Sequence, residues 1–167
     1  SFKVSSVSKQ KNVELFLEVP ERLPVLQADP VRLHQILMNL LSNALKFTQR
    51  GKIVLGAETQ LPHIHIWVSD TGSGIPLEMQ ERIFEPFVKV DMPGKREDGS
   101  GLGLSITRRL VALHGGSITL DSQPALGSTF HIYIPLPGLS NASAKEVKAE
   151  GSQPIFMWLS SNKNPAS

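Results

Sequence analysis

Leu33-His34-Gln35-Ile36-Leu37-Met38-Asn39-Leu40-Leu41-Ser42-Asn43-Ala44-Leu45-Lys46-Phe47-Thr48 is the stretch on which the reading turns. Wound as a helix at about 100° per residue, it separates into two sides. Leu33, Ile36, Leu37, Leu40, Leu41, Ala44 and Phe47 gather on one; Gln35, Asn39, Ser42, Asn43 and Lys46 gather on the other. The apolar side reads as core. The other side carries two carboxamides one turn apart, followed by a lysine. Amides are ordinary helix formers at best, and solubility alone is served better by Glu and Lys. An amide oxygen ligates a hard cation and an ammonium sits against phosphate; taken alone the face reads as solvated surface with two chance amides, and the residues around the helix decide between that and a binding face.

The helix has explicit ends. Asp29 suits the N-cap, Pro30 the first helical position, and Gly51 the left-handed residue that stops a helix. Upstream, Val13, Leu15, Leu17 and Val19 alternate as an edge strand, and a loop leads from Glu21 to Ala28. Downstream, a strand over Lys52 to Thr59 turns at Leu61-Pro62 into a second over His63 to Ser69. That second strand places Ile64, Ile66 and Val68 on one face, which predicts a hairpin half buried against helices.

Two glycine clusters follow. Asp70-Thr71-Gly72-Ser73-Gly74-Ile75 puts a carboxylate at the end of a buried strand, with glycines that let backbone pass close to a ligand. Gly99-Ser100-Gly101-Leu102-Gly103-Leu104 opens a helix whose apolar period runs through Ile106, Leu110 and Leu113 to Gly115-Gly116. A glycine-rich turn at a helix start is a phosphate cradle. The glycine spacing does not fit a dinucleotide fold, and no GxxxxGK[ST] loop occurs. Singly, each cluster reads as a turn; together they supply parts for metal, base and phosphates.

In this order the blocks resemble the catalytic ATP-binding domain of sensor histidine kinases, within the superfamily that includes gyrase and MutL. Residues 39–48 are similar to the asparagine box and residues 70–74 to the first glycine box. Ile83-Phe84-Glu85-Pro86-Phe87 resembles the phenylalanine box, residues 99–104 the second glycine box, and Gly127-Ser128-Thr129-Phe130 the last block. The resemblance implies an α/β two-layer sandwich of the Bergerat type: a mixed sheet covered on one face by helices, with a flexible ATP lid.

It also implies roles. Asn43 coordinates Mg²⁺ and Asn39 sits beside it, orienting metal-bound water. Lys46 contacts phosphate, so Asn39, Asn43 and Lys46 form the catalytic set. Phe47 lines the adenine side. Asp70 accepts the adenine amino proton, with room given by Gly72 and Gly74 and support from Thr129. Gly101 and Gly103 present backbone amides to the phosphates, and Gly99, Ser100, Leu102, Leu104, Ile75 and Phe87 complete the nucleotide site. Residues 88–98 form the lid, from which Lys95 or Arg96 reaches the γ-phosphate.

ATP-hydrolysing members of the superfamily carry a glutamate, as general base on water, where this chain has Asn39. A carboxamide cannot take that proton. The pocket therefore suits phosphoryl transfer to a nucleophile needing less help, such as a neutral imidazole. The family's acceptor histidine sits on a separate dimerisation domain, followed by an acidic residue. His34, His63, His65, His114 and His131 have no such setting and read as structural. The expectation is a piece of a longer kinase whose partners are that dimerisation domain and a downstream response regulator. Two other readings compete: a nucleotide-binding regulatory module without phosphotransfer, and a serine kinase of the anti-sigma-factor type.

Composition sets outer bounds. The 167 residues suffice for one domain with a proper core. Seventeen basic against fifteen acidic residues give a net charge of +2, no electrostatic footprint for nucleic acid. The absence of cysteine excludes disulfides and thiolate metal sites and fits a reducing cytosol. No apolar run approaches the ~20 residues of a membrane span, so the expected location is cytoplasmic, without membrane contact, though the parent protein has room for an anchor elsewhere. The expected division is a leader over residues 1–12, the catalytic domain over 13–137 and a linker over 138–153. Residues 154–167 form a tail or the first strand of a following domain.

Overall fold

The computed structural model describes residues 6–7, 12–89 and 100–138. Strands β1 (Ser6–Val7), β2 (Asn12–Glu18), β3 (Arg50–Gln60), β4 (His63–Asp70), β5 (Ser117–Gln123) and β6 (Gly127–Pro135) form one sheet of order β1-β2-β3-β4-β6-β5. Neighbours are antiparallel except β2 and β3, whose parallel pairing requires the long helix α1 (Pro30–Phe47) as crossover. A second helix, α2 (Gly103–Leu113), links β4 to β5 after two short 3-10 turns at Leu77–Met79 and Arg82–Phe84. Residues 90–99, which include Lys95, Arg96, Gly99 and most of the expected lid, lie outside the described residues, as do residues 139–167 of the expected linker and tail. Within the expected leader, Ser6 and Val7 pair antiparallel with Leu15 and Glu14 of β2.

Both helices cover one face of the mixed sheet. Leu33, Ile36, Leu37, Leu40 and Ala44 of α1 meet Ile53 and Leu55 of β3, Ile64, Ile66 and Val68 of β4, and Phe130, Ile132 and Ile134 of β6 in one core. Burial of a side chain such as Ile36 or Leu40, both fully inaccessible, contributes about 1.5–3 kcal/mol. The two-residue alternation of β4 and β6 turns the intervening residues outward. There His65 stacks on Tyr133 with ring centroids 4.7 Å apart, and its Nε2 lies 2.9 Å from His131 Nδ1.

Asp29 caps α1 as expected, its Oδ1 accepting from the Val31 and Arg32 N–H groups at 2.8 and 3.3 Å. The stop differs. The helix ends at Phe47, and Thr48 turns extended while its N–H still reaches the Ala44 carbonyl at 3.0 Å. Gly51 does have φ +117°, but inside β3: a Cβ there would lie 2.1 Å from Thr71 Oγ1. Its conformation serves the approach of the β4 exit, not the helix end.

The apolar face of α2 also differs. Thr107, Leu110 and Val111 are buried, whereas Ile106 is 38% and Leu113 74% exposed. The run Ile106, Leu110, Leu113 lies along a line rotated away from the sheet, so only Leu110 of the three belongs to the core.

Candidate functional site

The site grows from the boundary between helices and sheet. The outward side of α1 near its C-terminus, the glycine-rich exit of β4 and the start of α2 enclose a cleft of about 250 Å³. Ser42, Asn43, Lys46 and Phe47 enter from α1, Asp70, Gly74 and Ile75 from the β4 exit, and Ser100, Gly101, Gly103 and Leu104 from the turn into α2. Two elements far apart in sequence thus supply an amide and ammonium face and a glycine turn to one cavity. No histidine lines it among the described residues.

Asp70 is the only carboxylate in the described lining and is 7% exposed. Burial pushes its carboxyl above the usual 3.8, opposed by the Gly72 and Ser128 N–H groups and the Thr48 hydroxyl. The Gly72 N–H donates to Oδ1 at 2.8 Å. The hydroxyl of Thr48 is buried and makes no well-formed hydrogen bond among the described residues, so its pull on that carboxyl is the weakest of the three. A Cβ on Gly72 would come within 2.7 Å of both Asp70 Oδ1 and the Phe47 carbonyl. Glycine is required there for the carboxylate to keep its place.

Gly74 has φ +67°, and a Cβ on it would meet the Gln123 carbonyl at 1.9 Å. Two residues that sequence reasoning missed pin this turn. Ser122 Oγ accepts from the Ile75 N–H at 2.8 Å, and Gln80 Nε2 donates to the carbonyls of Ile75 and Ser122 at 3.0 Å each. Neither sits in a recognisable motif.

The lining also carries an amide and two cations, Asn43, Lys46 and Lys89. Lys46 Nζ lies 5.2 Å from the centre of the Phe47 ring. Gly101 has φ +71° and accepts from the Phe87 N–H at 3.0 Å. Among the described residues no side chain caps α2, although the Leu102 N–H is taken by Ser100 Oγ at 3.3 Å. Asn39 stands just behind Gly103, to whose carbonyl its Nδ2 donates at 3.2 Å.

Most of the predicted residues converge, with exceptions. Phe87, with φ 66°, is 74% exposed and contributes its backbone to the Gly101 turn rather than its ring to the cleft. Leu102 precedes α2 and does not line the cavity. Thr129 requires a correction. In the β4–β6 register Asp70 pairs with Ser128 and Ser69 with Thr129. Thr129 Oγ1 accordingly bonds Ser69 Oγ at 2.9 Å, while Ser128 lines the cleft beside Asp70. Strand alternation makes the two neighbours mutually exclusive. Ile83 of the phenylalanine-box block, Phe130 of the last block, and Val88 and Lys89 at the start of the expected lid also line the cavity.

No group of three or more His, Cys, Asp or Glu able to hold a metal occurs among the described residues. A cation in this cleft would rest on amide oxygen and on oxygens brought by its ligand, which fits Mg²⁺. No helix among the described residues is long and apolar enough to cross a membrane.

The family described as histidine kinase-, DNA gyrase B- and HSP90-like ATPase matches residues 28–138. The chain is 42% identical over 154 residues to the sensor histidine kinase RcsC of Escherichia coli (strain K12), covering 92% of this chain and 16% of that protein. It is 46% identical over 123 residues to the circadian input-output histidine kinase CikA of Synechococcus elongatus, covering 72% of this chain and 16% of that one. The chain thus spans about a sixth of these relatives' length. Among solved structures, full-length ShkA in complex with AMPPNP is similar at TM-score 0.67 and 37% identity, over 75% of this chain and 26% of that one. The nucleotide-free catalytic domain of histidine kinase ThkA is similar at TM-score 0.65 and 32% identity, over 76% of this chain and 82% of that one.

Proposed function

The chain belongs to the histidine kinase-, DNA gyrase B- and HSP90-like ATPase family, with the ATP-binding catalytic domain of histidine kinases as its kind, and from that premise we propose that it binds Mg-ATP and passes the γ-phosphoryl group to a histidine on a separate dimerisation domain. The catalytic unit is residues 13–137, and a response regulator is the downstream recipient. The parent protein works in the cytoplasm, with any membrane anchor lying in its other domains.

The observation that carries the reading is the chemistry of the cleft lining. Its only described carboxylate is the buried Asp70, and with it the lining holds Asn43, Lys46, Gly101 and Gly103. The buried carboxylate accepts an amino group such as that of adenine, and the glycines at 72 and 74 let the turn pack against Phe47 and Gln123 so that the carboxylate keeps its place. Asn43 offers the metal an amide oxygen, and Lys46 and the turn amides offer donors to phosphate. Held by Asn43, Mg²⁺ would neutralise charge on the phosphates. Asn39 stands where a hydrolase needs a carboxylate base, and an amide cannot accept a proton from water. Water is therefore a poor nucleophile here, and an imidazole carrying its own lone pair is a suitable one.

Calorimetric titration with ATP, with Mg²⁺ and with chelator, tests the binding half. Wild-type chain binds ATP more tightly with Mg²⁺, and Asn43→Ala loses that gain. Full metal dependence in the variant would remove Asn43 from the site.

A further inference from the structure

Asn39 is fixed from the opposite helix. Its Nδ2 donates to the Gly103 carbonyl and to Thr107 Oγ1, each at 3.2 Å. A carbonyl only accepts, so it is the amide nitrogen that bonds α2. The amide oxygen Oδ1 lies 3.9 Å from where a Cβ on Gly103, a residue of the cleft lining, would stand. Thr107 is fully inaccessible, in a face of α2 otherwise made of Leu110 and Val111. Valine would fill the same space without the desolvation that a hydroxyl incurs. The hydroxyl is offset there by its bond to Asn39.

We infer that Thr107 is a positioning residue that holds the Asn39 amide in one rotation, its oxygen beside Gly103 at the cleft wall. The inference rests on the reading of Asn39 given above. A carboxamide is nearly symmetric in shape, so an unclamped Asn39 would exchange oxygen for nitrogen by rotating about its last bond. The rotated form puts N–H donors where the acceptor oxygen stood and loses its use. Because Gly103 lies in the glycine turn, the clamp also joins that turn to the amide face of α1.

ATP affinity of the full chain, measured with Mg²⁺ and with chelator, tests this in Thr107→Val, Thr107→Ser, Asn39→Ala and the Thr107→Val/Asn39→Ala pair. Losing one of two anchors should reduce the Mg²⁺-dependent gain about threefold to tenfold in Thr107→Val, with affinity in chelator within about twofold of wild type. Thr107→Ser should restore the gain, and Thr107→Val should add nothing once Asn39 is Ala. Equal losses with and without Mg²⁺, failure of Ser to restore, or additive effects would overturn the inference. If the Val variant does not fold, Thr107→Ala against Thr107→Ser makes the same comparison. An Asn39→Ala variant that keeps the full Mg²⁺ gain would instead refute the role of Asn39, and this inference with it.

Discussion

The His114 ring ties the end of α2 to the beginning of α1: its Nε2 accepts the Asp29 N–H at 3.1 Å while Nδ1 donates to the Leu110 carbonyl at 2.8 Å. An N–H must meet a lone pair, so the ring is neutral with its proton on Nδ1. Asp29 is also the side-chain cap of α1. The helix bearing the amide face is therefore anchored at its N-terminus by the helix that follows the glycine turn.

His114→Ala should cost about 1–2 kcal/mol of stability, the loss of a hydrogen bond that leaves the Asp29 N–H without its partner. Urea denaturation reads this directly as a lower midpoint at unchanged slope. An unshifted midpoint would show the latch to be energetically silent.

Asp70 should set opposite trends for stability and selectivity. Burial raises its carboxyl above 3.8 in the folded chain, so the native state holds this proton more tightly than the unfolded state. Stability from this group is fully present below 3.8 and falls as pH climbs through the folded value. Asp70→Asn carries no such penalty. The variant should gain on wild type at neutral pH, with the gap closing in acid, in denaturation curves collected across that range. A gap independent of pH would contradict the cause given for the shift.

The same substitution should flatten the choice of base. If Asp70 accepts an amino group, wild type prefers ATP to GTP by about 1–3 kcal/mol, and Asp70→Asn loses most of the difference. Competition binding with the two nucleotides gives the ratio; equal wild-type affinities would end the assignment.

Gly74→Ala should be severe, because it combines φ +67° with a Cβ 1.9 Å from the Gln123 carbonyl. A loss of about 2 kcal/mol or more follows from the left-handed backbone and the displaced β5 end. Gly101→Ala, whose Cβ would meet Phe87 Cα at 2.9 Å, strains a local turn. It should weaken nucleotide binding more than it lowers the melting temperature. Wild-type affinity in Gly101→Ala would mean that the turn backbone does not touch the ligand.

What the sequence disclosed depended on how local each signal was. The cap at Asp29, the two sides of α1 and the inward set Ile64, Ile66 and Val68 follow from periodicity within one element, and the structure has them. Gly51 misled because a positive φ is demanded equally by a helix stop and by a close strand crossing, here past Thr71. In α2, two faces about 90° apart compete, and only contact with the sheet selects Thr107, Leu110 and Val111. The choice between Ser128 and Thr129 depends on a register between β4 and β6 that neither strand encodes alone. Gln80 and Ser122 act through contacts more than forty residues apart in sequence, with no local pattern to mark them.

The central claim is that this cleft activates ATP for an imidazole and not for water. Incubating the chain with radiolabelled Mg-ATP, alone and with the parent kinase's dimerisation domain, measures both outcomes in one experiment. The account predicts very slow phosphate release by the chain alone, label on the acceptor histidine when that domain is added, and none on His34, His63, His65, His114 or His131. Brisk phosphate release by the chain alone, abolished by Asn43→Ala and accompanied by no labelling of the added domain, would contradict it.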